Sequence, residues 1–153
     1  MTTDIPWLSA QEEHVWRAWN QLTAELTAGL QRTMQAEAQL SMPDYGVLVH
    51  LTDSPEGRVR VSDLASLLQW ERSRLSHHLT RMEGRGLVER TECAEDGRGA
   101  FIGVTTAGRT AIEQAAPSHV AAVRRLVFDH LDAQDVAALA AVLDKLLAGA
   151  PSR

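Results

Sequence analysis

The stretch Val61–Val104 constrains this chain more than any other. It opens V-S-D-L-A-S-L-L-Q-W-E-R-S-R-L-S-H-H-L-T-R-M-E-G-R-G-L-V-E-R and continues T-E-C-A-E-D-G-R-G-A-F-I-G-V. The first part predicts two short helices joined by a tight turn. Leu64, Leu67 and Leu68 face inward on the first helix, and Ser62 is expected to cap it. On the second, Leu75, Leu79 and Met82 fall at i, i+4 and i+7 and share one side. At about 100° per residue, the opposite side carries Ser73, Arg74, His77, Thr80, Arg81 and Gly84, with no carboxylate. Glu71 falls at the helix start, where negative charge suits the free N–H groups. Gly86 is placed to stop the helix.

The second part predicts two strands. Val88 and Arg90 alternate with Glu89 and Thr91, and Phe101–Val104 forms the return strand. The tip, residues 94–99, holds the turn-favouring pair Asp96-Gly97. A solvated amphipathic helix would explain the arginine-bearing face by itself. The hairpin behind it points instead to a winged helix-turn-helix, whose second helix enters the DNA major groove.

These residues carry a family resemblance. D-L-A at Asp63–Ala65, L-T-R-M-E-G-R-G-L-V-E-R at Leu79–Arg90, D-G-R at Asp96–Arg98 and T-T-A-G-R at Thr105–Arg109 resemble the MarR-type transcriptional regulators. The turn Gln69-Trp70-Glu71 departs from the pattern, since the family often has a glycine and a small polar cap there. The resemblance implies a mainly α fold with a small β-wing. It comprises a winged helix-turn-helix lobe over 38–104 and a helical dimerisation lobe from 8–36 and 105–148, within one domain of 153 residues. It also implies a homodimer on double-stranded DNA at a near-palindromic operator, acting as a repressor. The wing arginine, Arg98, would enter the minor groove with Asp96 holding it.

Charge is consistent with that partner once its distribution is considered. The chain is net −5, yet residues 58–109 are net +2 and the remainder −7. All the cations but Lys145 are arginine, the better fork for guanine edges and phosphates. Within the second helix the candidates for base edges and phosphates are Ser73, Arg74, Ser76, His77 and Arg81. Ser73 and Arg74 lie near the N-terminal end that meets bases. Thr80 and Arg85 are read as phosphate or solvent contacts, His78 as structural, and Arg60, Arg72 and Arg90 as weaker phosphate candidates.

Outside this region the chain predicts helices. Val15, Trp19, Leu22, Leu26 and Leu30 stripe a first helix from Ser9 to about Met34. Ser41 and Asp44 form a capping box around Pro43, opening a helix with Tyr45, Leu48, Val49 and Leu51 inward. Arg58–Val61 is expected to add a short strand. A long helix from Thr106 to about Leu131 has Ile112, Val120, Val123, Leu126 and Val127 inward and a kink at Pro117. Asp132 caps a last helix, Ala133–Leu147.

Relatives bind small aromatic or phenolic effectors between the two lobes. The resemblance therefore implies an effector site, for which Trp16, Trp19, Tyr45 and His50 are candidates. The six histidines lack HxxxH or HExxH spacing, so no metal or other cofactor is expected. Cys93, the single cysteine, excludes a disulfide framework and has acidic neighbours, Glu92 and Glu95, that do not favour a thiolate. No apolar run approaches the roughly 20 residues of a membrane span, and the start M-T-T-D-I-P-W has no export signal, so cytoplasmic residence is expected. An enzyme is not expected, because no nucleophile–base pair or phosphate-cradling loop is present. The alternative is a winged-helix module that binds protein and no DNA. An acidic or apolar reading face would mark it, and Arg74, His77 and Arg81 speak against it.

Overall fold

A computed structural model describes residues 6–92 and 99–150. The elements in order are α1 (Ala10–Ala38), α2 (Met42–Asp53), β1 (Arg58–Arg60), α3 (Val61–Leu68), α4 (Arg72–Gly84), β2 (Val88–Glu92), β3 (Ala100–Val104), α5 (Thr106–Leu126) and α6 (Ala133–Gly149). A single 3-10 turn, Phe128–His130, lies between α5 and α6. The mainly α chain with a small three-stranded sheet is the fold class expected from the sequence. The chain forms two compact units, one of residues 1–32 with 122–153 and the other of 33–121.

In the 33–121 unit, β3 lies centrally in the antiparallel sheet, paired with β1 on one side and β2 on the other. Val59 faces Ile102, and Val88 faces Val104. The core gathers Leu48 and Leu51 from α2, Leu64 from α3, Leu75, Leu79 and Met82 from α4, and Ile102 from β3, all fully buried. Each such side chain contributes about 1.5–3 kcal/mol. The i, i+4, i+7 stripe of α4 is therefore what turns its other side to solvent.

Local chemistry sets the ends of these elements. Ser41 accepts from Asp44 N–H at 3.1 Å while Asp44 accepts from Ser41 N–H at 2.9 Å, which completes the expected box. Gly86, at φ +72°, ends α4, and Leu87 N–H reaches back to Met82 O at 3.0 Å. Gln69 takes the left-handed conformation between α3 and α4, at φ +54°, where the resemblance expects glycine. Trp70 N–H closes that turn on Ala65 O at 2.9 Å.

Several expectations need correction. Ser62 does not cap α3. The helix starts two residues earlier, with Arg60 as an N-cap that makes no side-chain bond, and Ser62 Oγ bonds Asp63 instead. Leu67 and Val120 point outward, each 55% exposed. Ala65 and Ala115 are buried on those helices instead, because small residues let the backbones approach and a count of large apolar residues misses them. α5 ends at Leu126, where Val127 leaves helical geometry at φ −129°, ψ −69°. The helix runs through Pro117.

In the other unit, Ser9 and Glu12 cap α1 reciprocally, and Asp132 and Asp135 do the same for α6. Ala122 is fully buried, and Gly29 lies against Leu126. No residue of α6 is buried. Trp16, Leu22, Val142 and Leu146 are each about half exposed, leaving apolar stripes on both helices open. No helix among the described residues is long and apolar enough to cross a membrane.

Candidate nucleic-acid interface

The outward side of α4 is polar and cationic. From Arg72 to Gly84, the exposed residues are Arg72, Ser73, Arg74, His77, Thr80, Arg81 and Gly84, and no carboxylate is among them. Ser76 is half-buried. Four of the five helix candidates, Ser73, Arg74, His77 and Arg81, thus share one open face with Ser76 at its edge. Arg74 lies over the indole of Trp70, with its guanidinium carbon 4.5 Å from the ring centroid. Thr80 Oγ1 donates to Ser76 O at 3.0 Å, so its hydroxyl is used within the helix.

Arg85, read from the sequence as a phosphate or solvent contact, is partly exposed and also makes bonds the sequence did not suggest. It donates to Asp44 Oδ2 at 2.7 Å and to Gln39 O at 2.9 Å, tying the end of α4 to the start of α2. Asp44 is buried, which opposes its charge. The close approach of the His78 ring and the bonds from Arg85 and Ser41 outweigh that penalty and hold the carboxyl well below the usual carboxylate range. His78 is buried as expected, with its Nε2 3.0 Å from Asp44 Oδ1.

A second cationic group lies at the foot of the hairpin. Arg60, Arg72 and Arg90 surround a cavity of about 250 Å³ with Ser62, Gly99 and Ala100. Arg58 and Arg60 lie over Phe101, at 5.0 and 5.2 Å from its ring centre. Arg58 was not singled out in the sequence, and its place in the short strand opposite Gly103 was the available signal. Asp96, Arg98 and Cys93 lie outside the described residues.

The effector candidates fall in the two units separately. Trp16 and Trp19 line an apolar groove of about 940 Å³ with Leu8, Val15 and Leu146. Tyr45 stacks on His119 at 4.5 Å and borders a cavity of about 290 Å³ with Thr52, Asp53 and Arg109. Burial pushes the Tyr45 hydroxyl pKa up and the His119 pKa down. His50 is half-buried on α2 and lines neither space. Among the described residues, no group of three or more histidines, cysteines or carboxylates is placed to hold a metal.

Comparison with known proteins agrees with this geometry. Residues 38–99 match the model of the MarR family. AbsC, a MarR family transcriptional regulator from Streptomyces coelicolor, is 38% identical over 94% of this chain and 96% of its own, with a TM-score of 0.87. Sco3205, a MarR family transcriptional regulator from the same organism solved in complex with DNA, is 37% identical over 97% and 94%, with a TM-score of 0.90. A mutant MarR from E. coli complexed with operator DNA shares the fold at 22% identity, covering 87% and 93%, with a TM-score of 0.78. No curated protein matches the chain by sequence. With more than a third of its residues shared with AbsC and Sco3205 over nearly their whole lengths, this chain belongs to the MarR family of transcriptional regulators.

Proposed function

We propose that this chain is a homodimeric repressor that binds a near-palindromic DNA site through α4 and the wing. The observation that carries the reading is the open face of α4, where Ser73, Arg74, His77 and Arg81 stand clear of any carboxylate on the same helix. Ser73 and Arg74, in its first turn, would meet base edges, with Arg74 forking onto guanine O6 and N7. Ser76, His77 and Arg81 would follow the groove and its phosphates. Arg98 would enter the minor groove beside Asp96. The complex of Sco3205 with DNA supports this use of the shared fold. The open apolar stripes of α1 and α6 support a dimer, because a monomer would leave Trp16, Leu22, Val142 and Leu146 in water. A dimer would set two α4 helices in successive major grooves.

Release by a small aromatic effector is part of the proposal, with Trp16, Trp19, Tyr45 and His50 as its candidate contacts. Such a ligand acts only if it binds the DNA-free state more tightly. A cytoplasmic location accords with a DNA partner.

Arg74→Ala and Arg98→Ala test the interface. Each is expected to weaken operator binding roughly tenfold to a hundredfold, with dimer mass unchanged in sedimentation. Binding measured across a salt series should also lose about one unit of slope wherever the arginine reaches a phosphate. Unchanged affinity in either variant removes that arginine from the interface.

A further inference from the structure

The open face of α4 is backed by a buried polar chain. Arg81 Nη2 lies 3.2 Å from His78 Nδ1. A guanidinium has only donors, so Nδ1 must present its lone pair and the ring proton resides on Nε2. Nε2 faces Asp44 Oδ1 at 3.0 Å, off the line of a well-formed hydrogen bond, so the contact is chiefly charge against dipole. Asp44 itself cannot turn away. Its other oxygen takes Arg85 at 2.7 Å and the Ser41 N–H at 2.9 Å. Trp70 meets the imidazole edge-on at 5.4 Å and carries Arg74 on its face. His78 therefore has one orientation and one tautomer open to it, favoured from both sides, by Asp44 of α2 at Nε2 and by Arg81 at Nδ1.

We propose that His78 is the positioning residue for Arg81: held by Asp44 in the Nε2–H form, its Nδ1 lone pair fixes the Arg81 guanidinium on the reading face before DNA arrives. This rests on the reading of α4 as the helix that meets DNA. An unheld arginine loses rotamer freedom on binding, and a placed one loses less. The groups facing the ring are Asp44 from α2, Arg81 from α4 and Arg85 through Asp44, with Arg74 beyond Trp70. Gln35, Gln39 and Ser41, all uncharged, complete the cavity of about 610 Å³ around them.

The test has a DNA-free arm and a DNA arm. In the free protein near neutral pH, ¹⁵N NMR of His78 is expected to show the Nε2–H tautomer. The Arg81 guanidinium signals should shift in His78→Phe, whose ring offers no lone pair to hold them. In His78→Gln, whose amide offers a donor and an acceptor, the Arg81 signals should stay near their wild-type positions. An Nδ1–H tautomer, or Arg81 signals indifferent to His78, overturns the proposal.

The DNA arm uses a labelled duplex of the sequence upstream of the chain's own gene. His78→Phe and Arg81→Ala should each weaken binding about fivefold or more, and the double variant no further than the stronger single, since the two act as one unit. His78→Gln should recover most of the loss. Additive losses overturn the proposal. If the expected tautomer accompanies unchanged binding by Arg81→Ala, the parent reading of Arg81 has failed and the proposal falls with it. Should His78→Phe not fold, His78→Gln and Arg81→Ala carry both arms.

Discussion

Gly108→Ala is expected to destabilise this protein by roughly 3 kcal/mol or more, near the upper end for a single added methyl group. The reason is contact and not backbone conformation. A Cβ built at Gly108 would lie 2.0 Å from Leu87 O and 3.0 Å from Leu87 C. Neither atom is the far end of a side chain, so no rotamer change relieves the overlap. The backbone of Leu87 is held there by design of the local bonds. Thr105 N–H donates to Leu87 O at 3.2 Å, Thr105 Oγ1 donates to Gly86 O at 2.6 Å, and Gly108 N–H returns to Thr105 Oγ1 at 3.0 Å. Moving Leu87 would disturb the end of α4, the start of β2 and the first turn of α5 together. In a chain of this size the melting temperature should fall by about 10 °C. Gly84→Ala is the control. A Cβ there meets nothing within 4 Å, and alanine favours helix, so its melting temperature should hold or rise slightly. Equal melting of wild type and Gly108→Ala would show that the close approach is not present in solution.

Asp44→Asn should cost about 2–3 kcal/mol at neutral pH and much less in acid. The substitution keeps shape and an acceptor for Ser41 N–H but removes the charge that Arg85 and His78 face. Breaking a fully buried ion pair costs about 3–5 kcal/mol. Arg85 is 44% exposed and can recover water, so the expected loss is smaller. The pH dependence follows from the lowered pKa. A carboxyl that titrates below its unfolded value contributes stability above the ordinary aspartate range. That contribution disappears as pH falls through the folded-state value. The gap between wild type and Asp44→Asn in urea unfolding should therefore be full at neutral pH and narrow below the ordinary range. A gap independent of pH would mean that the charge of Asp44 is not what stabilises the fold.

These two positions show what the sequence could and could not reveal. The capping box at Ser41–Asp44, the Asp132 cap of α6 and the stop at Gly86 are short-range patterns in which the residue types state their own bonds. The buried side of α4 was legible for the same reason, since Leu75, Leu79 and Met82 repeat at helical spacing. That side fixes which residues are left outward, so Ser73, Arg74, His77 and Arg81 could be chosen without coordinates. The bond from Arg85 to Asp44 spans 41 positions and has no periodic signature. Arg85 consequently looked like any other surface cation. His78 could be read as buried, but not as the link between Asp44 and Arg81. Gly108 stood in a motif without its reason, because close backbone approach leaves no mark on residue spacing. The outward turn of Leu67 and Val120 was missed where alanines, small enough to pack tightly, took the inner face. Trp16, Trp19 and Tyr45, grouped as candidates for a site between the lobes, belong to both units, the tryptophans to one and Tyr45 to the other.

A hydroxyl-radical footprint of the protein on the DNA upstream of its own gene would show whether two α4 helices read one site together. A dimer that sets two α4 helices in successive major grooves should leave two protected patches on each strand about one helical turn, roughly 34 Å, apart, related by a near-palindrome. Both should be lost together in Arg74→Ala. Uniform weak protection along the duplex, or a single patch bound by a monomer, would contradict that arrangement.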